Sequence, residues 1–77
     1  MKYYKPFEVS VSGRELKDWI WHHTRKKTKY TALAISMRSV FNLDDNKFYM
    51  VFFCDGAPRV AEVPKRGEKY SLPCNDS

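Results

Sequence analysis

The four residues Ser12-Gly13-Arg14-Glu15 constrain the fold of this chain more than any other stretch. A serine at a helix start accepts a bond from the backbone N–H three residues on. A glutamate at that third position bonds back to the serine's own N–H, so the pair satisfies two donors that a helix start leaves open. Val11 and Leu16 sit where an apolar staple closes over the same turn. The spacing predicts a helix from about 13 to about 27, where Arg25, Lys26 and Lys27 suit the negative end of its dipole. At about 100° per residue, Leu16, Trp19, Ile20 and His23 fall on one side. Trp21 projects nearly opposite, beside Arg14, Lys17 and Arg25.

Around this helix the pattern is that of strands. Phe7, Val9 and Val11 alternate with Glu8 and Ser10, the period of a half-buried strand. Thr28 to Asn42 reads as a second strand, because Leu33, Ile35, Met37 and Phe41 alternate with Ala32, Ala34, Ser36 and Arg38. Asp44-Asp45-Asn46-Lys47 supplies turn chemistry, and Phe48 to Cys54 is a nearly continuous aromatic run. Asp55-Gly56 predicts a two-residue hairpin turn into Pro58–Val63, with Pro58 and Pro64 marking an edge strand. Pro64 to Gly67 is then a loop and Glu68 to Leu72 a short last strand.

The order β-α-β-β-β(-β) makes an α+β fold, a single helix packed on a curled antiparallel sheet. A turn centred on Asp45-Asn46 puts Leu33, Ile35, Met37, Phe41, Phe48, Met50, Phe52 and Cys54 on the helix-facing side. The other side carries Ala32, Ala34, Ser36, Arg38, Tyr49, Val51 and Phe53. A slip of one residue exchanges the two. The 77 residues form one small domain, 1–77, with 1–5 and 73–77 as loose ends.

A hydrophobic content of 43% and an aromatic content of 16% supply a core and argue against disorder. No apolar run is long enough to span a membrane. The start, Met1 to Pro6, lacks the apolar stretch of a secretion signal, so a cytoplasmic location is expected, with Cys54 and Cys74 as thiols. Adjacent histidines on a helix point apart and no Cys-x-x-Cys occurs, so no metal is expected from His22, His23, Cys54 and Cys74. No cofactor is expected either, because the glycines are turn or cap residues rather than a phosphate cradle.

A net charge of +5 favours an anionic partner. The densest basic stretch runs from His22 to Lys29. Arg25, Lys26, Lys27 and Lys29 are placed to neutralise phosphates, with Lys65 and Arg66 extending the stripe and Arg14, Lys17 and His22 beside it. Trp21 in this rim suits an interface anchor or a platform for an unpaired base. Tyr49 and Phe53, with Arg38 on the neighbouring strand, form a secondary stacking candidate, or a face that a last strand or a second copy covers in a homodimer.

The chain is therefore expected to be a non-catalytic basic binding protein that regulates or blocks nucleic-acid-handling machinery by touching nucleic acid. The alternative is a protein–protein inhibitor module of the phage anti-CRISPR or host-takeover type, docking on an acidic or nucleic-acid-binding surface. A small ribonuclease using Asp18 and His22 or His23 is a distant third, since no nucleophile–base–orienter set is present.

Overall fold

In a computed structural model, residues 6–72 and 74 are described. Strand β1 (Val11–Ser12) leads directly into helix α1 (Gly13–Arg25). A short helix α2 (Thr31–Ser36) and a 3-10 turn over Arg38–Asn42 follow, then strands β2 (Phe48–Cys54) and β3 (Ala57–Val63). The three strands form one antiparallel sheet in the order β1-β2-β3. This is the expected α+β class, with one main helix on an open sheet.

The capping box forms as the sequence dictates. The Glu15 backbone N–H donates to Ser12 Oγ at 3.2 Å, and the Ser12 N–H donates to Glu15 Oε1 at 3.0 Å. Val11 and Leu16, the staple residues, are both buried. Gly13 is needed here for space: its N–H donates to the Lys47 carbonyl at 2.8 Å, and a Cβ would run into the Asp44 carbonyl. α1 ends at Arg25, where the Lys26 N–H closes on the His22 carbonyl at 3.1 Å.

The hairpin also follows its local chemistry. Asp55 and Gly56 adopt φ of 54° and 77°, both positive as this turn requires. The register then runs from Cys54↔Ala57 to Phe48↔Val63. β3 is an edge strand, entered near Pro58 and left at Pro64.

Residues 28–42 do not form a strand. Thr28 and Thr31 organise the entry to α2 instead. The Thr28 N–H donates to Thr31 Oγ1 at 2.9 Å, Thr31 Oγ1 donates to the Lys26 carbonyl at 2.9 Å, and the Tyr30 N–H donates to Thr28 Oγ1 at 3.0 Å. Ala34, Met37 and Val40, three residues apart, then bury one stripe in the core. That spacing suits a helix or 3-10 turn and no strand. Ile35 and Phe41, expected in the core, are consequently exposed.

Without a 28–42 strand the β2 faces change roles. Tyr49 and Val51 join Leu16, Trp19, Ile20, Ala34 and Met37 in the core. Met50 and Cys54 lie on the far face, also buried. The expected helix-facing set is thus exchanged with its opposite, the slip of one residue that period-two strands allow. Tyr49 is no surface platform. Its ring is buried and its hydroxyl accepts from the Asp44 N–H at 3.3 Å, so the face expected to bind bases or a second copy is filled by the helix layer.

The first and last strands are also shorter than expected. Residues 6–9 turn, with the Pro6 carbonyl accepting from the Val51 N–H at 2.8 Å, and only Val11–Ser12 pairs with β2. Residues 68–72 form no strand. Ser10, buried, holds the loop before them. Its N–H donates to the Glu68 carbonyl at 2.9 Å, and its carbonyl accepts from the Gly67 N–H at 2.9 Å. Its hydroxyl donates to the Lys65 carbonyl and accepts from the Glu68 N–H at 3.0 Å.

From that loop the C-terminal segment crosses the far face of β2. The Tyr70 N–H points at Met50 Sδ, 3.4 Å away. Cys74 is bonded to Cys54 in a disulfide that spans 20 residues, with the Cα atoms 5.3 Å apart. The expectation of two thiols is overturned, because Cys74 lies at the end of β2, against Cys54, instead of trailing from the domain. The expected loose ends 1–5, 73 and 75–77 lie outside the described residues. Among the described residues no helix is long and apolar enough to cross a membrane.

Candidate functional site

Alternate sides of α1 treat its two tryptophans oppositely. Trp19 is buried at the centre of an aromatic cluster. His23 lies 4.5 Å from it, Tyr30 5.5 Å and Phe7 6.5 Å, centroid to centroid. Trp21 is 56% exposed, and the Arg25 guanidinium sits over its ring at 5.2 Å. One turn on, Arg25 is where an exposed helix lets a cation reach the indole face.

Trp21 does not stand alone. α2 and the 3-10 turn bring Ile35 and Phe41 to the same side as Trp21, and the three, with Thr24, Arg38 and Ser39, line an open groove of about 720 Å³. Ile35 is 47% exposed and Phe41 45% exposed. Large apolar side chains gathered on one surface are uncommon on a small monomer and mark contact sites. Arg38 lines the groove, and Arg25 flanks it through Trp21. Among the described residues no carboxylate lines it.

The remaining expected site residues separate into groups. Lys26, Lys27 and Lys29 are exposed at and just past the end of α1. With Arg25 and Arg38 they have no ion pair among the described residues. Lys29 Nζ lies 5.3 Å from the Tyr30 ring. Arg14 is exposed nearer the helix start. Lys17 is tied to Asp45 at 2.7 Å, and this bond, ahead of the Lys17 charge and that of Arg14, holds the Asp45 carboxyl below its ordinary range.

Arg66 grips Glu15 with two bonds of 2.6 Å in the first turn of α1. Ten residues at about 1.5 Å each separate Glu15 from Arg25, so Arg66, with Lys65 beside it, serves the far end of the helix and not the Trp21 rim. The Arg66 bond is the main reason the Glu15 carboxyl falls to about 2; the Ser12 bonds add to it and burial opposes it.

His22 and His23 stack edge to face at 4.8 Å. His23 is held in the aromatic cluster, with Nδ1 2.8 Å from Thr28 Oγ1. Burial, and then the charge on His22, pushes its pKa down. Phe53 is 49% exposed yet packs on Phe7 at 5.9 Å, outside the groove.

Sequence reading paired Trp21 with Arg25 but set Arg38 apart, beside Tyr49 and Phe53, and placed Ile35 and Phe41 in a strand core. The stripe Ala34, Met37, Val40 was the available signal, because a buried period of three leaves Ile35 and Phe41 outward. No protein-family model matches this chain, and neither a curated protein nor a solved structure shows significant similarity to it.

Proposed function

We propose that this chain is a non-catalytic binding protein that docks an acidic surface of a partner protein in the Trp21 groove. The observation that carries the reading is the grouping of Trp21, Ile35 and Phe41 around one open groove, with Arg38 in its lining and Arg25 over the Trp21 ring. Trp and Arg are both enriched among the residues that anchor protein interfaces. Ile35 favours a protein over a nucleic acid, because an aliphatic side chain offers a base neither a stacking plane nor a hydrogen bond. The cations around the groove suit carboxylates on the partner and would hasten encounter with them. An inhibitor of nucleic-acid-handling machinery acts in this way when the acidic patch it covers is one the machinery needs.

A second reading, direct contact with nucleic acid, draws on the exposed Arg25, Lys26, Lys27 and Lys29. Capture of partners from lysate with and without nuclease treatment, followed by binding of the purified partner, separates the two. The protein reading expects capture to survive nuclease, and Trp21→Ala to weaken binding by about 30-fold or more, the scale of an interface anchor. Capture that disappears with nuclease, and binding that falls steeply from about 50 to 200 mM salt while Trp21→Ala leaves it unchanged, refutes it in favour of phosphate contacts.

A further inference from the structure

The far face of the sheet is covered by a segment whose attachment differs sharply along its length. Residues 65–68 are fastened by the four bonds of Ser10. Beyond them Lys69, Ser71 and Cys74 are exposed and Tyr70 and Leu72 half-buried. Tyr70 meets the sheet through its N–H and the Met50 sulfur, a weak acceptor, while its hydroxyl accepts from the Lys65 N–H at 3.1 Å. The covalent tie is the bond from Cys74 to Cys54, which is itself 2% exposed. Met50, 4% exposed, lies on the same face two pleats away. Gly67, at φ 76°, turns the chain within the fastened part, and its own N–H is one of the four bonds to Ser10.

We propose that the Cys54–Cys74 disulfide is a redox-operated latch that holds residues 69–72 as a strap across the Met50–Cys54 face, and that reduction frees the strap while the rest of the domain stays folded. The exposed partner, Cys74, is the sulfur a reductant reaches. A thiolate of a dithiol reductant forms a bond to Cys74 Sγ, and the S–S electron pair departs on Cys54 Sγ. The reductant's second thiolate then displaces Cys74, so the reductant leaves as its own disulfide and the protein holds two protonated thiols. Met50, Phe52 and Cys54 become accessible on that face. The Trp21 groove lies beyond the helix layer, so this inference stands or falls without the proposed function.

Limited trypsin digestion of the whole chain, with and without dithiothreitol, tests it. Reduction is expected to speed cleavage after Lys69 by at least about tenfold, to make Cys74 alkylate before Cys54, and to leave the near-ultraviolet circular dichroism of the aromatic cluster intact. Cys74→Ser without reductant is expected to match the reduced protein. Three results each overturn the latch: two alkylatable thiols in protein never exposed to reductant, an unchanged rate of cleavage after Lys69, or loss of the aromatic signal on reduction.

Discussion

Replacing Glu15 by glutamine separates two jobs that one carboxylate performs. The amide oxygen of Glu15→Gln still accepts from the Ser12 N–H, but the charge that meets Arg66 is gone. In the folded chain the Glu15 carboxyl titrates near 2 against an ordinary 4.5, a difference worth ~3.4 kcal/mol at about 1.36 per pH unit. Arg66 is 44% and Glu15 31% exposed, so water screens the pair and about 1.5–2 kcal/mol remains.

The folded pKa is depressed, so this stability is fully present above 4.5 and is lost as pH falls from about 4.5 towards 2. Urea unfolding of the two proteins at pH 7, 5, 3.5 and 2.5 reads it directly. Glu15→Gln is expected to be less stable by about 1.5–2 kcal/mol at pH 7, and the gap should close to well under about 1 kcal/mol at pH 2.5. A gap that stays constant from pH 7 to 2.5 refutes the charge argument and leaves only the cap. In an Arg66→Gln background the substitution should cost much less, because the partner has already been removed.

Two further outcomes follow from packing. Gly13→Ala should destabilise the domain by about 2 kcal/mol or more, since the new methyl meets the Asp44 backbone and not a flexible side chain; a thermal melt matching the parent's contradicts the close approach. Trp21→Ala should change stability by less than about 1 kcal/mol, the scale of an exposed cation–π contact, and should remove the iodide-quenchable, red-shifted part of the fluorescence. A blue-shifted, protected emission from Trp19 should survive, and its disappearance would show that the two indoles have been assigned the wrong sides.

The elements legible in the sequence are those whose chemistry is local. Ser12 and Glu15 satisfy each other within one turn, and Asp55-Gly56 adopts positive φ without help from distant residues. Thr28 to Asn42 misled because its apolar residues satisfy two periods at once. Leu33, Ile35 and Met37 alternate like a strand, while Ala34, Met37 and Val40 recur like a helical stripe. Helix-forming Ala32, Leu33, Ala34 and Met37 decide in favour of the second, once α1 offers a surface for that stripe to bury against. The exchange of the two β2 faces and the change in the site follow from that one ambiguity. The disulfide was hidden for a different reason: the path that brings residue 74 back to residue 54 depends on the Ser10 contacts with residues 65–68, which no spacing rule encodes.

Those Ser10 contacts also bear on how the domain matures. They join positions 55 to 58 residues apart, so they cannot all form until residue 68 has been synthesised. A nascent chain held on the ribosome before residue 65 emerges can assemble the capped helix, yet Ser10 still lacks all four of the bonds it makes to residues 65–68. Closure of this loop over the sheet is therefore late relative to the helix, and the cysteine that bonds to Cys54, a few residues further on, emerges later still.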